Sequence, residues 1–174
     1  MLEVRTGKLR AIDRESHERL YEAAVATRTN IDAPITTAGT HPCAGILGGV
    51  EWNGPAFNAR SNLLYVPAVD WCATFTRAEE VRFIPGATYL SGLYKVDSTS
   101  QGWVTVVDAS TGAIKWRYRS PRPMVAGVTT SAGGVVMTGE LTGDFLVLDA
   151  FVRGDVRQTR RSRRCFRSLS NRSC

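Results

Sequence analysis

An internal repeat constrains the fold of this 174-residue chain more than any other feature of its sequence. Residues 11–21 (AIDRESHERLY) align without gaps on residues 106–116 (VVDASTGAIKW). Each copy has the form of a strand, an aspartate, a short polar turn and a second strand that carries an aromatic residue. A third copy begins at residues 146–150 (LVLDA) and is not continued. Repetition of this kind is typical of folds that stack one supersecondary unit on the next.

The spacing of the repeated aspartates indicates the size of the unit. Asp108 and Asp149 lie 41 residues apart, which fits one four-stranded blade. Asp13 and Asp108 lie 95 residues apart, which is enough for two units if one of them carries an insertion. We assign residues 74–100 to that insertion and expect a loop from 86 to 100.

Strand periodicity supports an all-β fold. Ile114, Trp116 and Tyr118 alternate with basic residues, so one face of this segment is apolar and the other charged. Residues 17–26 have a helical composition, but the repeat alignment assigns them to a turn and a strand. We therefore predict an all-β repeat protein with short strands.

The positive charge is confined to one end of the sequence. The net charge is +6, yet residues 151–174 carry eight arginines and one aspartate, which leaves residues 1–150 at −1. Arg and Ser dominate this tail and strand periodicity disappears, so we predict that it is disordered. A shifted reading frame would produce such a change in the middle of a repeat. A nucleic-acid-binding arm is the alternative, but we expect no nucleic-acid partner.

No self-contained catalytic set is visible in the sequence. It lacks phosphate-binding glycine loops, a GxSxG elbow and an HExxH pair. His17 is predicted to lie in an exposed turn and His41 to be structural. The four cysteines include no pair at zinc-ligand spacing. Cys43 and Cys72 could form a disulfide in an oxidising compartment, or could be small buried apolar side chains.

Two further sequence properties concern location. No apolar run approaches the ~18–20 residues of a membrane helix, so we expect no membrane span. The first residues also lack the pattern of a signal peptide.

Three segments resemble the quinoprotein dehydrogenases, eight-bladed propellers that bind pyrroloquinoline quinone (PQQ). Residues 108–116 are similar to the tryptophan-docking motif of that family, in which the Trp ring packs against the next blade. Residues 48–58 (GGVEWNGPAFN) look like the segment of a later blade that reaches the cofactor. Residues 133–150 resemble the C-terminal blade. The resemblance covers about residues 8–150, and it implies that residues 1–150 form a partial β-propeller of about two to three four-stranded blades.

The resemblance implies a cofactor-binding role for Trp52, Glu51 and Asn53. Trp52 would be an aromatic contact of PQQ, although a buried propeller aromatic is the alternative. Glu51 stands where many family members have Asn, and a carboxylate beside a polyanionic cofactor needs a partner or a proton. Asn53 would donate from its amide. The catalytic base and the Ca²⁺ ligands of the family match no residue of this chain, so we expect neither a catalytic nor a metal-binding residue here.

The resemblance also implies a function. The chain would be a C-terminal fragment of a PQQ-dependent dehydrogenase that oxidises alcohols or sugars by hydride transfer to the quinone, and would be inactive alone. The parent protein would be periplasmic and would pass electrons to a cytochrome or a quinone. A non-catalytic propeller scaffold is the alternative function.

Overall fold

A computed structural model describes residues 2–5, 7–50, 53–80, 82–86, 91–151 and 156–159, with only the backbone described at 2–5 and 156–159. All regular elements in these ranges are β-strands, so the predicted all-β class is confirmed. The strands are β1 (Leu2–Arg5), β2 (Lys8–Ile12), β3 (Arg19–Ala24), β4 (Ala56–Asn58), β5 (Leu63–Asp70), β6 (Ala73–Arg77), β7 (Gly92–Val96), β8 (Gln101–Asp108), β9 (Ile114–Ser120), β10 (Thr129–Thr130), β11 (Val135–Gly139), β12 (Phe145–Asp149) and β13 (Val156–Thr159).

The strands form three antiparallel blades. Blade 1 has the order β1-β2-β3, blade 2 the order β4-β5-β8-β9 and blade 3 the order β10-β11-β12-β13. Two to three blades were predicted, and this is confirmed. The 95 residues between Asp13 and Asp108 hold one blade, however, where the spacing left room for two. A long connection (residues 25–55) and an inserted hairpin take up the remaining length.

The inserted hairpin is more regular than predicted. β6 and β7 form a separate two-stranded sheet in which Phe75 is opposite Tyr94, with ring centroids 6.5 Å apart. The expectation of a loop from 86 to 100 is therefore wrong at Gly92–Val96. The signal for β7 is weak because three of its five residues are exposed, including Leu93 at 78%. A strand without a buried face shows no apolar alternation.

The register of the sheets reproduces the sequence repeat. Tyr21 is opposite Ala11, Trp116 is opposite Val106, and Arg157 is opposite Val147. In each case the outer-strand residue faces the second residue before a repeat aspartate. β13 pairs with β12, so blade 3 continues beyond residue 150, where the sequence analysis placed the end of the propeller. The rest of the predicted tail, residues 160–174, lies outside the described residues.

The repeat aspartates Asp13 and Asp108 fix the turns between the last two strands of blades 1 and 2. Asp13 Oδ1 accepts the N–H groups of Glu15 and Ser16 at 2.9 and 2.8 Å. Asp108 Oδ1 accepts the equivalent N–H groups of its own turn at 3.0 and 3.2 Å. His17 and Gly112 occupy the same turn position and both have positive φ, at 60° and 77°. His17 is exposed, as predicted for a turn residue.

Blade 2 is buried on both faces because it lies between the other two blades. Every residue of β5 is buried. Its side chains alternate between two cores, since Leu64 and Val66 pack with blade 1 whereas Leu63 and Tyr65 pack with blade 3. Tyr65 also donates a hydrogen bond to the carbonyl of Ala150 at 3.1 Å.

The antiparallel order places the connections at two ends. The short turns at 59–62, 109–113 and 131–134 lie at one end of blades 2 and 3. The other connections lie at the opposite end, which we call the crossover end: residues 25–55, 71–100, 121–128 and 140–144. Asn53, one of the three candidate site residues, belongs to the first of these connections.

Candidate functional site

The segment before the candidate residues is tied to blade 2. Gly49 and Val69 exchange two backbone hydrogen bonds, of 2.7 and 2.8 Å. Val50 is 6% exposed and belongs to the core between blades 1 and 2. Gly49 has φ +100°, a conformation that other residues rarely adopt. The backbone therefore reaches residue 51 from a fixed position.

The segment after the candidate pair is tied to the next blade. Asn53 is 2% exposed, and its Nδ2 donates to the carbonyl oxygen of Met124 in the 121–128 connection. Met124 is fully buried, and its close approach to blade 2 depends on Gly102, where a Cβ would lie 2.6 Å from the Met124 nitrogen. The Asn53 amide predicted to face a cofactor thus has a protein partner.

The other two candidate residues, Glu51 and Trp52, lie outside the described residues. Their cofactor-binding role therefore stays a prediction, as does the cofactor contact of Asn53. The described neighbours on both sides of the pair are held in place, one by the backbone of β5 and the other by the adjoining blade.

A buried carboxylate that the sequence analysis missed organises the same end of the blades. Asp70, the last residue of β5, is 5% exposed. It accepts the backbone N–H of Thr27 at 2.8 Å and the Thr27 hydroxyl. It also accepts Gln101 Nε2 at 3.1 Å and Trp103 Nε1 at 2.7 Å. Four donors compensate a buried negative charge, so Asp70 joins blade 1 to two strands of blade 2.

A second buried carboxylate makes an analogous connection between blades 2 and 3. Glu140 is 7% exposed and accepts the hydroxyl of Ser120, the last residue of β9. It also accepts the Thr142 hydroxyl at 2.7 Å. Burial, followed by the charge of Glu140, raises the pKa of the nearby Tyr118. An acidic residue at the end of an apolar strand is the sequence signal that could have identified both carboxylates.

Two arginines and an indole cover the outer side of this region. The guanidinium carbons of Arg117 and Arg119 lie 5.9 and 5.8 Å from the ring centroid of Trp103, within the range of cation–π attraction. Arg119 also donates to the side-chain oxygen of Gln101. Burial lowers the pKa of Arg117, which donates to the carbonyl of Ala24.

A polar cleft of about 310 Å³ opens beside these residues. Asp70, Gln101 and Arg119 line it together with Cys72 and Asp97. Because the Asp70 oxygens are already occupied by protein donors, this carboxylate has little capacity for a ligand.

The alternatives left open for the two cysteines are decided in favour of a disulfide. Cys43 and Cys72 are bonded, with their Cα atoms 4.4 Å apart. The bond links the 25–55 and 71–100 connections at the crossover end. Near it, His41 Nε2 lies 3.0 Å from both carboxylate oxygens of Asp97. The His41 contact agrees with a structural role.

The described residues lack two features. They contain no group of three or more His, Cys, Asp or Glu side chains that could hold a metal ion. They also contain no helix that is long and apolar enough to cross a membrane.

Curated relatives identify the family that the chain resembles. It is 33% identical over 107 residues to a quinoprotein ethanol dehydrogenase of Pseudomonas aeruginosa, and 31% identical over 107 residues to the quinoprotein alcohol dehydrogenase PedE of Pseudomonas putida. In both cases the match covers 60% of this chain but only 17% of the relative. No protein-family model matches. The predicted resemblance to quinoprotein alcohol dehydrogenases is therefore confirmed, for a part of their length.

Solved structures confirm the fold. A europium-containing methanol dehydrogenase superposes with a TM-score of 0.74 at 22% identity, covering 88% of this chain and 30% of that one. A quinohemoprotein alcohol dehydrogenase from Comamonas testosteroni gives a TM-score of 0.71 at 17% identity, covering 84% of this chain and 26% of that one. The three blades thus have the arrangement of part of a quinoprotein propeller.

Proposed function

We propose that this chain, related to the quinoprotein alcohol dehydrogenases in sequence and fold, forms part of the cofactor-binding end of such an enzyme. The intact enzyme would bind PQQ and oxidise alcohols or sugars. PQQ would be the acceptor of the substrate hydride. One observation carries this proposal, namely 107 residues of similarity at 33% identity to a quinoprotein ethanol dehydrogenase.

The role proposed for this chain is to bind and orient the cofactor. Trp52 would offer its ring as a flat apolar contact for the quinone, and Glu51 a polar one. The structure supports a site at the crossover end because the segment is held on both sides, at Gly49 and at Asn53. Rigid support of this kind keeps binding residues in a productive geometry.

The remaining parts of the catalytic site would come from other parts of the intact protein. The resemblance implies that the ligands of a Ca²⁺ or lanthanide ion lie there, and with them the catalytic base. We therefore expect the isolated chain to bind PQQ weakly and to show no turnover with alcohols.

Location and electron transfer belong to the same proposal. The Cys43–Cys72 disulfide fits an oxidising compartment, which supports a periplasmic parent protein. A cytochrome or a quinone would accept the electrons. The tryptophan-docking role proposed for the repeat is supported by Trp116, which packs against the core shared by blades 2 and 3.

Titration of the chain with PQQ tests the proposal, with tryptophan fluorescence and equilibrium dialysis as readouts. We expect saturable one-to-one binding that Trp52→Leu weakens at least tenfold. Trp71→Leu is the matched control, because Trp71 lies at the same end but donates to the Asp97 carbonyl, and it should change the affinity less than twofold. Absence of binding, or equal losses in both variants, would refute the site; PQQ-dependent dye reduction by the chain alone would refute its expected inactivity.

A further inference from the structure

The outer edge of blade 2 is a β-strand with one unpaired side. β9 comes last in the strand order β4-β5-β8-β9, so it has a strand partner on one side only. No described residue makes a backbone hydrogen bond to β9 from the other side. Blades 1 and 3 cover the two faces of blade 2, so the open part of β9 is its edge. Such an edge offers a row of N–H and C=O groups to another extended chain.

The side chains of β9 form two chemically different rows along this edge. Trp116 lies on the side of blade 3, where its ring centroid is 6.4 Å from that of Tyr65. Arg117 and Arg119 lie on the other side, over the ring of Trp103. One side of the edge is therefore aromatic and the other is cationic.

A cavity of about 710 Å³ follows the same edge. Two apolar side chains that line it, Ile114 of β9 and Phe151 of blade 3, are 41% and 60% exposed. Arg117 and Arg119 line it as well, and both guanidinium groups donate to neutral oxygen atoms rather than to carboxylates. The cavity thus combines exposed apolar surface with cations whose hydrogen bonds leave their charge uncompensated.

Two buried donors of β9 also lack hydrogen-bond partners among the described residues, namely Trp116 Nε1 and Arg117 Nε. Buried donors without partners are costly and rare in native structures. The two side chains lie on opposite sides of the strand. Hydrogen-bond acceptors are therefore missing on both sides of β9.

From these observations we infer that the β9 edge binds an extended segment of a partner protein, which pairs with β9 as an added strand. The segment alternates acidic with apolar residues, because successive side chains of a strand point to opposite sides of the sheet. Its acidic side chains face Arg117 and Arg119, and its apolar ones face Ile114, Trp116 and Phe151. In this mode of recognition main-chain hydrogen bonds supply affinity, and the alternate side chains supply specificity.

The charge of the edge favours such a partner over other chains that could pair with it. A second copy of β9 would bring its own arginines beside Arg117 and Arg119, and like charges opposite each other destabilise a strand pair. Residues 151–174 carry eight arginines and one aspartate, so they do not complement the edge either. The surface is separate from the proposed cofactor site, and its test needs no cofactor.

Amide hydrogen exchange of the full chain with a synthetic peptide tests the inference. The probe is the peptide EVEFEVE with blocked ends, which alternates acidic and apolar residues. At saturation it should slow amide exchange in residues 114–120 at least tenfold. The control region is β7, the free edge of the β6–β7 sheet, where exchange should change less than twofold.

Calorimetric titration with the same peptide tests both rows of side chains. Arg119→Glu should weaken binding at least tenfold and Phe151→Ser at least threefold; both residues are exposed, so the fold should persist. Lys95→Glu is the matched control, because it makes the same charge change at an exposed position of the β7 edge, and it should alter the affinity less than twofold.

Peptide variants separate strand pairing from simple charge attraction. Of two EVEFEVE peptides, N-methylated at the odd or at the even residues, one should bind at least tenfold more weakly, because only one set of main-chain N–H groups faces β9. Unchanged exchange at 114–120, undiminished binding of both methylated peptides, or equal binding of KVKFKVK would each overturn the inference. Protection of β9 that appears without peptide and grows with protein concentration would also overturn it, because a second copy would then be the partner.

Discussion

Reduction of the Cys43–Cys72 disulfide is expected to destabilise the chain by about 3–4 kcal/mol. The two cysteines are 29 residues apart. Closing a loop of that length removes about 12 cal/mol/K of entropy from the unfolded chain, or about 3.6 kcal/mol at 25 °C in the loop-closure model. The native fold should survive, because the bridges between Thr29 and Cys43 and between Thr40 and Phe75 do not depend on the sulfur atoms.

Urea denaturation with and without a phosphine reductant measures this difference. With a slope of about 2 kcal/mol/M, the midpoint should fall by nearly 2 M on reduction. The Cys43→Ser/Cys72→Ser variant should show the reduced midpoint under both conditions, whereas Cys165→Ser/Cys174→Ser should keep the sensitivity of the wild type. A midpoint that moves by less than about 0.3 M on full reduction would show that the disulfide does not constrain the unfolded chain as reasoned here.

Three further predictions concern single residues. Asp70→Asn should lower the free energy of unfolding, measured by urea denaturation, by about 2–3 kcal/mol, because an amide cannot accept all four hydrogen bonds that the carboxylate accepts. A loss of less than about 0.5 kcal/mol would argue against this role. Gly112→Ala should lower the free energy of unfolding by about 2–4 kcal/mol, because the residue has positive φ and its new Cβ would lie 2.7 Å from Tyr21 Cγ. Gly143→Ala is the control: it has φ +89° but open space around it, so it should lose only the backbone contribution of about 1–2 kcal/mol. Hydrogen bonds from a lysine and an arginine lower the pKa of Glu22 to about 2. Its contribution to the stability of the fold is therefore present above the unfolded pKa of about 4.3 and is lost as the pH falls towards 2. The melting temperatures of wild type and Glu22→Gln should converge over that interval, and a constant difference would contradict the assignment.

The repeat was sufficient to predict the blades because both copies carry the same turn and the same strand pattern. An aspartate that accepts two N–H groups closes the turn, and period-2 alternation then sets which side chains face the next blade. Tyr21 shows how far this information reaches. It replaces the tryptophan of the second copy, yet it lies over Gly112 and donates to the Ala109 carbonyl at 2.8 Å.

The repeat did not predict the hairpin β6–β7, and it did not exclude the second unit for which the spacing before Asp108 left room. Exposed strands such as β7 have no buried face and hence no alternation to detect. The 95-residue spacing was ambiguous for a related reason, since length alone does not distinguish a blade from a connection. Residues 25–50 contact other strands through isolated bridges rather than through a ladder: Thr40 pairs with Phe75 of the hairpin, and Gly49 with Val69 of blade 2.

Most contacts at the crossover end could not be predicted because, apart from the β6–β7 hairpin, no ladder determines them. Within a blade, one register assigns partners to every residue of a strand. In the crossovers each side chain must be held by a separate bond, as Asp70 is by Thr27 and Glu140 by Ser120. Thr27 lies six residues after Tyr21 but Ser120 lies four after Trp116, so the two connections have no common offset that an alignment could detect. Function at this end should therefore be sensitive to single hydrogen bonds, whereas the blades, with many equivalent bonds each, should tolerate the loss of one.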